Sequence, residues 1–393
     1  MKNIGIYIHI PFCKQKCKYC DFVSFKCVEE QADRYFKCLE MEINEKIKEL
    51  KNEIKKDSVA GSYFDDIEVD TIYIGGGTPS IVNEGFIENI LKLLLSNFNV
   101  SKKAEITIEV NPGTVNKEKL KKYLDVGINR LSIGLQSTSD DLLKMLGRIH
   151  TYKDFEEVYD MARKTGFNNI NVDLMIGLPN QTMEDVEESL AKIIEKSPEH
   201  ISVYSLIVEE GTQMCDLIDN GKLKLPSEDL ERNMYWMVKK TLENNGYNHY
   251  EISNFAKESH ESKHNMNCWK QHEYLGFGLA AHSYFDGIRY SNIDNLKQYI
   301  QNWEDNESVY NIVFHEKQSK EEMMKEFMLL GLRKISGVSV SEFKQKFVDN
   351  PLYIFRNELK KLVEEELVEV EDDSIRLTEK GIDLANQVWM EFV

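Results

Sequence analysis

Gly5-Ile6-Tyr7-Ile8-His9-Ile10-Pro11-Phe12-Cys13-Lys14-Gln15-Lys16-Cys17-Lys18-Tyr19-Cys20-Asp21-Phe22 runs an apolar strand straight into three cysteines spaced CxxxCxxC. Any disulfide pairing leaves one of the three out, and a structural zinc or an ordinary iron–sulfur cluster takes four protein ligands. A near fourth cysteine would sit at Phe22, which coordinates nothing. The simplest reading is a cubane cluster with three irons held by protein and one left open, a place for a small molecule to bind. On these residues alone a zinc site completed by Cys27, Cys38 or His9 stays open.

Outward from this loop the chain alternates. Ala32, Tyr35, Phe36, Leu39, Ile43, Ile47 and Leu50 fall at helical spacing and predict a long amphipathic helix from about Glu29 to Lys56. Asp70–Ile74, Glu105–Val110, Arg130–Gln136, Ile170–Pro179 and His200–Leu206 then read as strands, with helical patterns between them. Six apolar strands separated by helices predict a parallel sheet with right-handed crossovers. An incomplete (β/α) barrel and a doubly wound open sheet both satisfy the periodicity. Each strand ends in polar or Gly/Pro chemistry: the cysteines, Gly75-Gly76-Gly77-Thr78-Pro79, Glu109-x-Asn111-Pro112, Gln136-Ser137, and Asp173 with Gly177-Leu178-Pro179. Strand C-termini form the functional face of parallel α/β folds, so these residues are expected on one rim.

From about Gly211 to Phe314 the pattern weakens to a helix near Asp229–Asn245, aromatic-rich stretches and a turn at Tyr274-Leu275-Gly276-Phe277-Gly278. This reads as a bridge over the open side of a barrel. After Lys317, three helices precede a hairpin at Leu367–Thr378 and a final helix, which resembles a winged-helix module. The expected domains are 1–255, a bridging segment 256–316, and 317–393.

The 393 residues are 41% hydrophobic and 30% charged, ordinary globular values. A formal net charge of -18 argues against nucleic acid or an anionic membrane surface as the main partner. No apolar run approaches the ~18 residues of a membrane span. Strand pattern begins within four residues of Met1, leaving no room for a signal peptide, so the expected location is cytoplasmic. Seven cysteines, three of them clustered, fit a reducing compartment better than a disulfide framework.

CxxxCxxC after a first β-strand resembles the signature of the radical S-adenosylmethionine superfamily. Tyr7-x-His9-Ile10-Pro11-Phe12-Cys13 followed by Cys20-Asp21-Phe22 is similar to the oxygen-independent coproporphyrinogen III oxidase group, most of all to its HemW heme chaperone branch. That branch has phenylalanine where the oxidase has a fourth cysteine. The oxidase also carries an N-terminal extension, for which Cys13 comes too early.

The resemblance implies an α/β fold: a partial (β/α)6 TIM-like barrel with a C-terminal α+β winged-helix-like domain. It implies that Cys13, Cys17 and Cys20 hold a 4Fe-4S cluster whose open iron is chelated by S-adenosylmethionine, and that reduction releases an adenosyl radical. It places Gly76, Gly77 and Thr78 against the methionine amino group. It puts Glu109, Gln136, Arg148 and Asp173 around the cofactor, Arg148 suiting the carboxylate and Asp173 the ribose hydroxyls, with Tyr7 and Tyr19 flanking. Each of these has a plainer reading as a strand-end cap or core aromatic, and His9 reads as a structural residue.

His264-Asn265-Met266-Asn267-Cys268-Trp269 resembles the HNxxYW motif of the heme chaperone branch, with Cys268 in place of tyrosine. It implies heme held through His264 and Cys268, both ligand types known for heme iron; the plain reading is a loop with a buried tryptophan. The function implied is binding of heme and its transfer to a heme-requiring client. A reductant such as flavodoxin or ferredoxin would feed the cluster, with no nucleic acid and with membrane contact only through the client. Oxidative decarboxylation of coproporphyrinogen III is the alternative activity, and a zinc-stabilised docking protein a remote one.

Overall fold

The computed structural model describes residues 2–57, 67–305 and 311–393. It opens with β1 (Lys2–Ile10), α1 (Glu29–Asp57), β2 (Ile67–Gly76), α2 (Glu84–Asn97), β3 (Val100–Val110) and α3 (Lys117–Asp125). It continues with β4 (Arg130–Gln136), α4 (Asp140–Leu146), α5 (Tyr152–Thr165), β5 (Ile170–Ile176), α6 (Met183–Lys196) and β6 (His200–Ser205). The predicted apolar stripe of α1, from Ala32 to Leu50, is buried at every position named above. Helix starts follow local chemistry: Thr151 with Asp154 and Thr182 with Asp185 close capping boxes on α5 and α6, each satisfying amides the helix cannot.

The six strands lie in sequence order and parallel, and the crossover helices cover their outer face. A seventh parallel strand was not expected. Tyr274–Phe277, read from the sequence as part of a turn, is β9, paired in register with Gly5–Ile8 of β1. Gly276 within it and Gly278 just after it hide the strand signal. Gly276 is needed for close approach, since a Cβ there would meet the His282 carbonyl oxygen at 2.0 Å.

After β6 come α7 (Gln213–Asp219), α8 (Glu228–Asn244), β7 (Asn248–Glu251), β8 (Asn254–Ala256) and α9 (Lys263–Trp269). Beyond β9 follow β10 (His282–Phe285), β11 (Ile288–Asn292), α10 (Leu296–Glu304) and β12 (Ile312–Lys317). The segment expected to wrap the open side instead lengthens the sheet. The full order is β12-β11-β10-β9-β1-β2-β3-β4-β5-β6-β8-β7, and the two edge strands do not pair with each other. The sheet is thus a barrel left open.

The C-terminal unit contains α11 (Lys320–Gly331), β13 (Val338–Ser339), α12 (Val340–Phe347), α13 (Pro351–Ile354) and α14 (Arg356–Glu364). A wing follows, β14 (Val368–Glu371) and β15 (Ser374–Leu377), then α15 (Glu379–Asp383) and α16 (Ala385–Met390). It has its own core around Phe327, Phe343, Phe347 and Phe355. It is fastened to the barrel by ion pairs of Arg333 with buried Glu251 (2.8 Å) and Arg289 with Glu326 (2.5 Å), and Arg333 lies between the rings of Trp269 and Trp389. Among the described residues no helix is long and apolar enough to cross a membrane.

Candidate functional site

The strand C-termini surround a cavity of about 340 Å³ lined by Cys13, Cys17, Cys20, Tyr19, Gly76, Gly77, Thr78, Glu109, Gln136, Arg148 and Asp173. Motifs separated by up to 160 residues of sequence therefore meet on one rim. Tyr7 lies beside this group rather than in the wall: its hydroxyl bonds His9 Nδ1 at 3.1 Å and its ring stacks on Tyr73. Phe22 stands at the mouth, 63% exposed.

The cysteine loop is docked on the glycine turn by backbone. The Gly77 amide donates to Ile10 O (2.9 Å) and the Thr78 amide to Phe12 O (2.7 Å). Gly76 has φ +109° and packs against the His9 ring, where any Cβ would sit within 2.6 Å of it. Gln136 adopts φ +75° at the end of β4, a backbone state that side chains other than glycine rarely take and that concentrates at functional sites.

Polar side chains are arranged toward the sulfurs and the cavity. Thr78 Oγ1 donates to Cys13 Sγ at 3.5 Å and Arg148 Nη1 to Cys17 Sγ at 3.6 Å. Asn111 ties these donors together, giving its amide to Thr78 Oγ1 (2.8 Å) and accepting from Arg148 Nη2 (2.6 Å). Among the described residues Arg148 Nε is buried without a hydrogen-bond partner, an unused donor at the site. As free thiols Cys13 and Cys20 are pushed up by burial, Cys20 to about 11, so a metal must displace their protons. Glu109 accepts from Tyr73 OH (2.9 Å) and the Gly76 amide (3.2 Å); burial first, then the nearby Asp173, lifts its carboxyl to about 7. Asp173 accepts from Asn171 (2.7 Å) and Ser132 (3.3 Å).

Of the three fourth ligands of the zinc alternative, two are engaged elsewhere, while Cys27 stays beside the first cysteine, its amide donating to Cys13 O at 2.9 Å. His9 has both ring nitrogens engaged, by Tyr7 OH and Val23 O, and the Cys38 thiol donates to Ile300 O at 3.7 Å between α1 and α10.

At the opposite end of the strands α9 closes the floor. Its first amides, of Lys263 and His264, donate to the Glu105 carboxylate at 3.2 Å, and Asn267 bonds Asp70. His264 is buried, bonded through Nδ1 to Thr71 Oγ1 (2.9 Å) and stacked on Tyr73. Cys268 is half-buried on the same helix, its thiol pushed by burial to about 11. Thr71 precedes Gly76 by five residues along β2, roughly 17 Å of strand. The structure thus does not bring His264 and Cys268 onto the cysteine rim.

The pattern of the radical SAM superfamily matches residues 7–193, and that of the HemN C-terminal domain matches residues 318–384. A heme chaperone HemW from Bacillus subtilis is 39% identical over 98% of both chains, and one from Lactococcus lactis is 36% identical over all of this chain and 98% of its own. The chain belongs to the heme chaperone HemW family. Its fold matches the solved structure of the coproporphyrinogen III oxidase (HemN) from Escherichia coli, described as a radical SAM enzyme. The TM-score is 0.83 at 25% identity, covering 100% of this chain and 90% of that one.

Several wall residues of this HemW-family site went unassigned from the sequence. Tyr73, Ser132, Met175 and Tyr204 all line the cavity. Alternation along β2 puts Tyr73 on the face of Thr71 and Gly75, a legible signal; Asn111 stood within a motif already singled out. Nothing in sequence spacing marks Tyr204.

Proposed function

We propose that this chain is a radical SAM heme chaperone: it binds heme as cargo and passes it to a heme-requiring client, with a 4Fe-4S cluster and S-adenosylmethionine at the rim. The observation that carries the reading is three thiols on one cavity with Phe22 at the place of a fourth, in a chain alike from end to end to heme chaperones. The donor set fits the cluster, with Cys13, Cys17 and Cys20 as ligands and hydrogen bonds from Thr78 and Arg148 to two of the sulfurs. Once bound together, cluster and S-adenosylmethionine supply one-electron reduction of a sulfonium.

Around them the protein's own groups divide the work. Arg148, with its unpartnered Nε, receives the methionine carboxylate. The Gly76–Thr78 turn and Glu109 hold the amino group; Asp173 and Gln136 take the ribose and adenine side, with Tyr7 and Tyr19 packing beside them. Below, His264 and Cys268 on α9 hold the heme; Thr71 engages His264 Nδ1 and so leaves Nε2 for iron. Residues 256–316 join barrel and winged domain as a bridge carrying this motif. The chain works in the cytoplasm, its cluster reduced by a small electron-transfer protein of flavodoxin or ferredoxin type.

Anaerobic reconstitution is expected to give about four irons per chain, and heme is expected to shift its Soret band on titration and to leave when an apo-client is added. Zinc without iron, or release of vinyl products from coproporphyrinogen III, would overturn the reading.

A further inference from the structure

The loop that carries the three cysteines runs against the charge of the chain. Residues 14–26 hold four lysines against one aspartate, where the whole chain has a formal net charge of -18. Lys14, Lys16 and Lys26 are exposed and Lys18 is half-buried, and none of the four forms an ion pair among the described residues. Their places are fixed: Lys26 stands in register beside Cys13, Lys16 Nζ donates to Phe22 O at 3.0 Å, and the Lys18 amide donates to Leu146 O at 3.0 Å. Phe22, Phe25 and Val28 add exposed apolar side chains to the same stretch. The acids of this surface are Asp21 within the loop and, just past Val28, Glu29 and Glu30 at the start of α1.

Lysines alone make a solvated face; position gives this one a task. Cys17 has two sides. One lines the cofactor cavity, and the other lines a pocket of about 20 Å³ with Lys14, Gln15 and the exposed Ile149. S-adenosylmethionine takes the first side, which leaves the outer one for a second protein to approach a cluster on these sulfurs. Cations interleaved with apolar side chains form the small kind of patch that transient electron-transfer partners use, and opposite charge steers such partners to it.

We propose that this face docks the electron donor of the cluster, an acidic one-electron carrier protein whose carboxylates meet Lys14, Lys16 and Lys26 around an apolar contact on Phe22 and Phe25. In the docked pair the donor's cofactor is oxidised by one electron, the cluster is reduced by one, and no bond forms or breaks. The assignment rests on the cluster-bearing reading of the rim and adds to it the donor's charge and the place where it binds. The acidity of the rest of the chain serves the same end, since it repels an acidic carrier from the faces away from the loop.

The test titrates the full, cluster-loaded chain with an acidic flavodoxin by calorimetry, at low and at near-physiological ionic strength. Wild-type binding is expected to weaken roughly tenfold or more as salt is raised, and the double variant Lys14→Glu/Lys26→Glu to weaken low-salt binding roughly tenfold or more. Neither lysine lines the cofactor cavity. Iron content and bleaching of the cluster by a neutral photoreduced deazaflavin should therefore stay unchanged in the variant, while bleaching by reduced flavodoxin slows. The salt comparison uses the unaltered chain and so does not depend on how the variant folds. A cluster-loaded wild type that binds flavodoxin indifferently to salt, or a double variant that binds as wild type does, overturns the docking face and leaves the heme-chaperone reading intact. Retention on phosphatidylglycerol vesicles without flavodoxin binding also overturns it, in favour of a membrane. A chain that takes up no cluster overturns both.

Discussion

The two ends of the barrel treat their motifs differently. At the rim, motif side chains face an open cavity and keep unused capacity: three thiols, the Arg148 Nε and the Glu109 carboxyl. At the floor the motif helix turns inward, with its amides capped by Glu105 and His264 wedged between Thr71 and Tyr73. There, among the described residues, the motif's own unspent donor is the buried indole Nε1 of Trp269. A motif therefore marks where a chain is constrained, and burial together with unspent hydrogen bonds marks where it can take a ligand.

The largest effect expected from breaking the rim is complete. Cys17→Ala removes one of three cluster ligands, and anaerobic reconstitution should yield a colourless chain with the far-ultraviolet circular dichroism of wild type. Arg148→Gln should keep the cluster but weaken S-adenosylmethionine roughly tenfold or more in equilibrium binding, the loss of a charge-assisted contact.

The two ends should also titrate with opposite sign. Glu109 is raised to about 7 by burial, so its protonated form is favoured in the fold. The stability it contributes is full below its unfolded pKa near 4.5 and is lost as pH rises through about 7. His264 is lowered to about 4, by burial first and then by the charge of Arg130, so its neutral form is favoured. Its contribution is full above its unfolded pKa near 6.5 and is lost as pH falls through about 4. Each amounts to roughly 3 kcal/mol at most. Denaturant melts of the ligand-free chain should show Glu109→Gln flattening the neutral-side slope and leaving the acid side alone; flattening on both sides would contradict the division.

His264→Ala sharpens the comparison further. It deletes a buried, stacked ring and strands Thr71, costing about 3 kcal/mol in melts, and the heme titration should weaken as well. Lower stability with unchanged heme binding would make the floor motif purely structural. The smallest effect is expected at the mouth: Phe22→Cys, at a 63% exposed position, should change stability by under ~0.5 kcal/mol and should not confer decarboxylation of coproporphyrinogen III, assayed by product chromatography.

The rim was legible because parallel α/β chains place strand ends on one face, so the cysteines, the glycine turn, Glu109, Gln136 and Asp173 could be grouped by position, while Arg148, between two helices, entered through the family resemblance. The α1 stripe and the wing hairpin were legible from period and turn chemistry. What escaped depends on tertiary context. β9 is four residues with a glycine required by the His282 carbonyl, which no local pattern announces. The floor position of α9 is set by Glu105 and Asp70, carboxylates some 160 and 197 residues earlier.

The central claim is that three sulfurs hold a cluster with one iron corner open to S-adenosylmethionine, and electron paramagnetic resonance of the reduced, anaerobically reconstituted chain tests it most directly. The spectrum of a 4Fe-4S cluster is expected, altered in shape when S-adenosylmethionine is added. A cluster spectrum indifferent to that addition, or no cluster signal at all, would contradict the account.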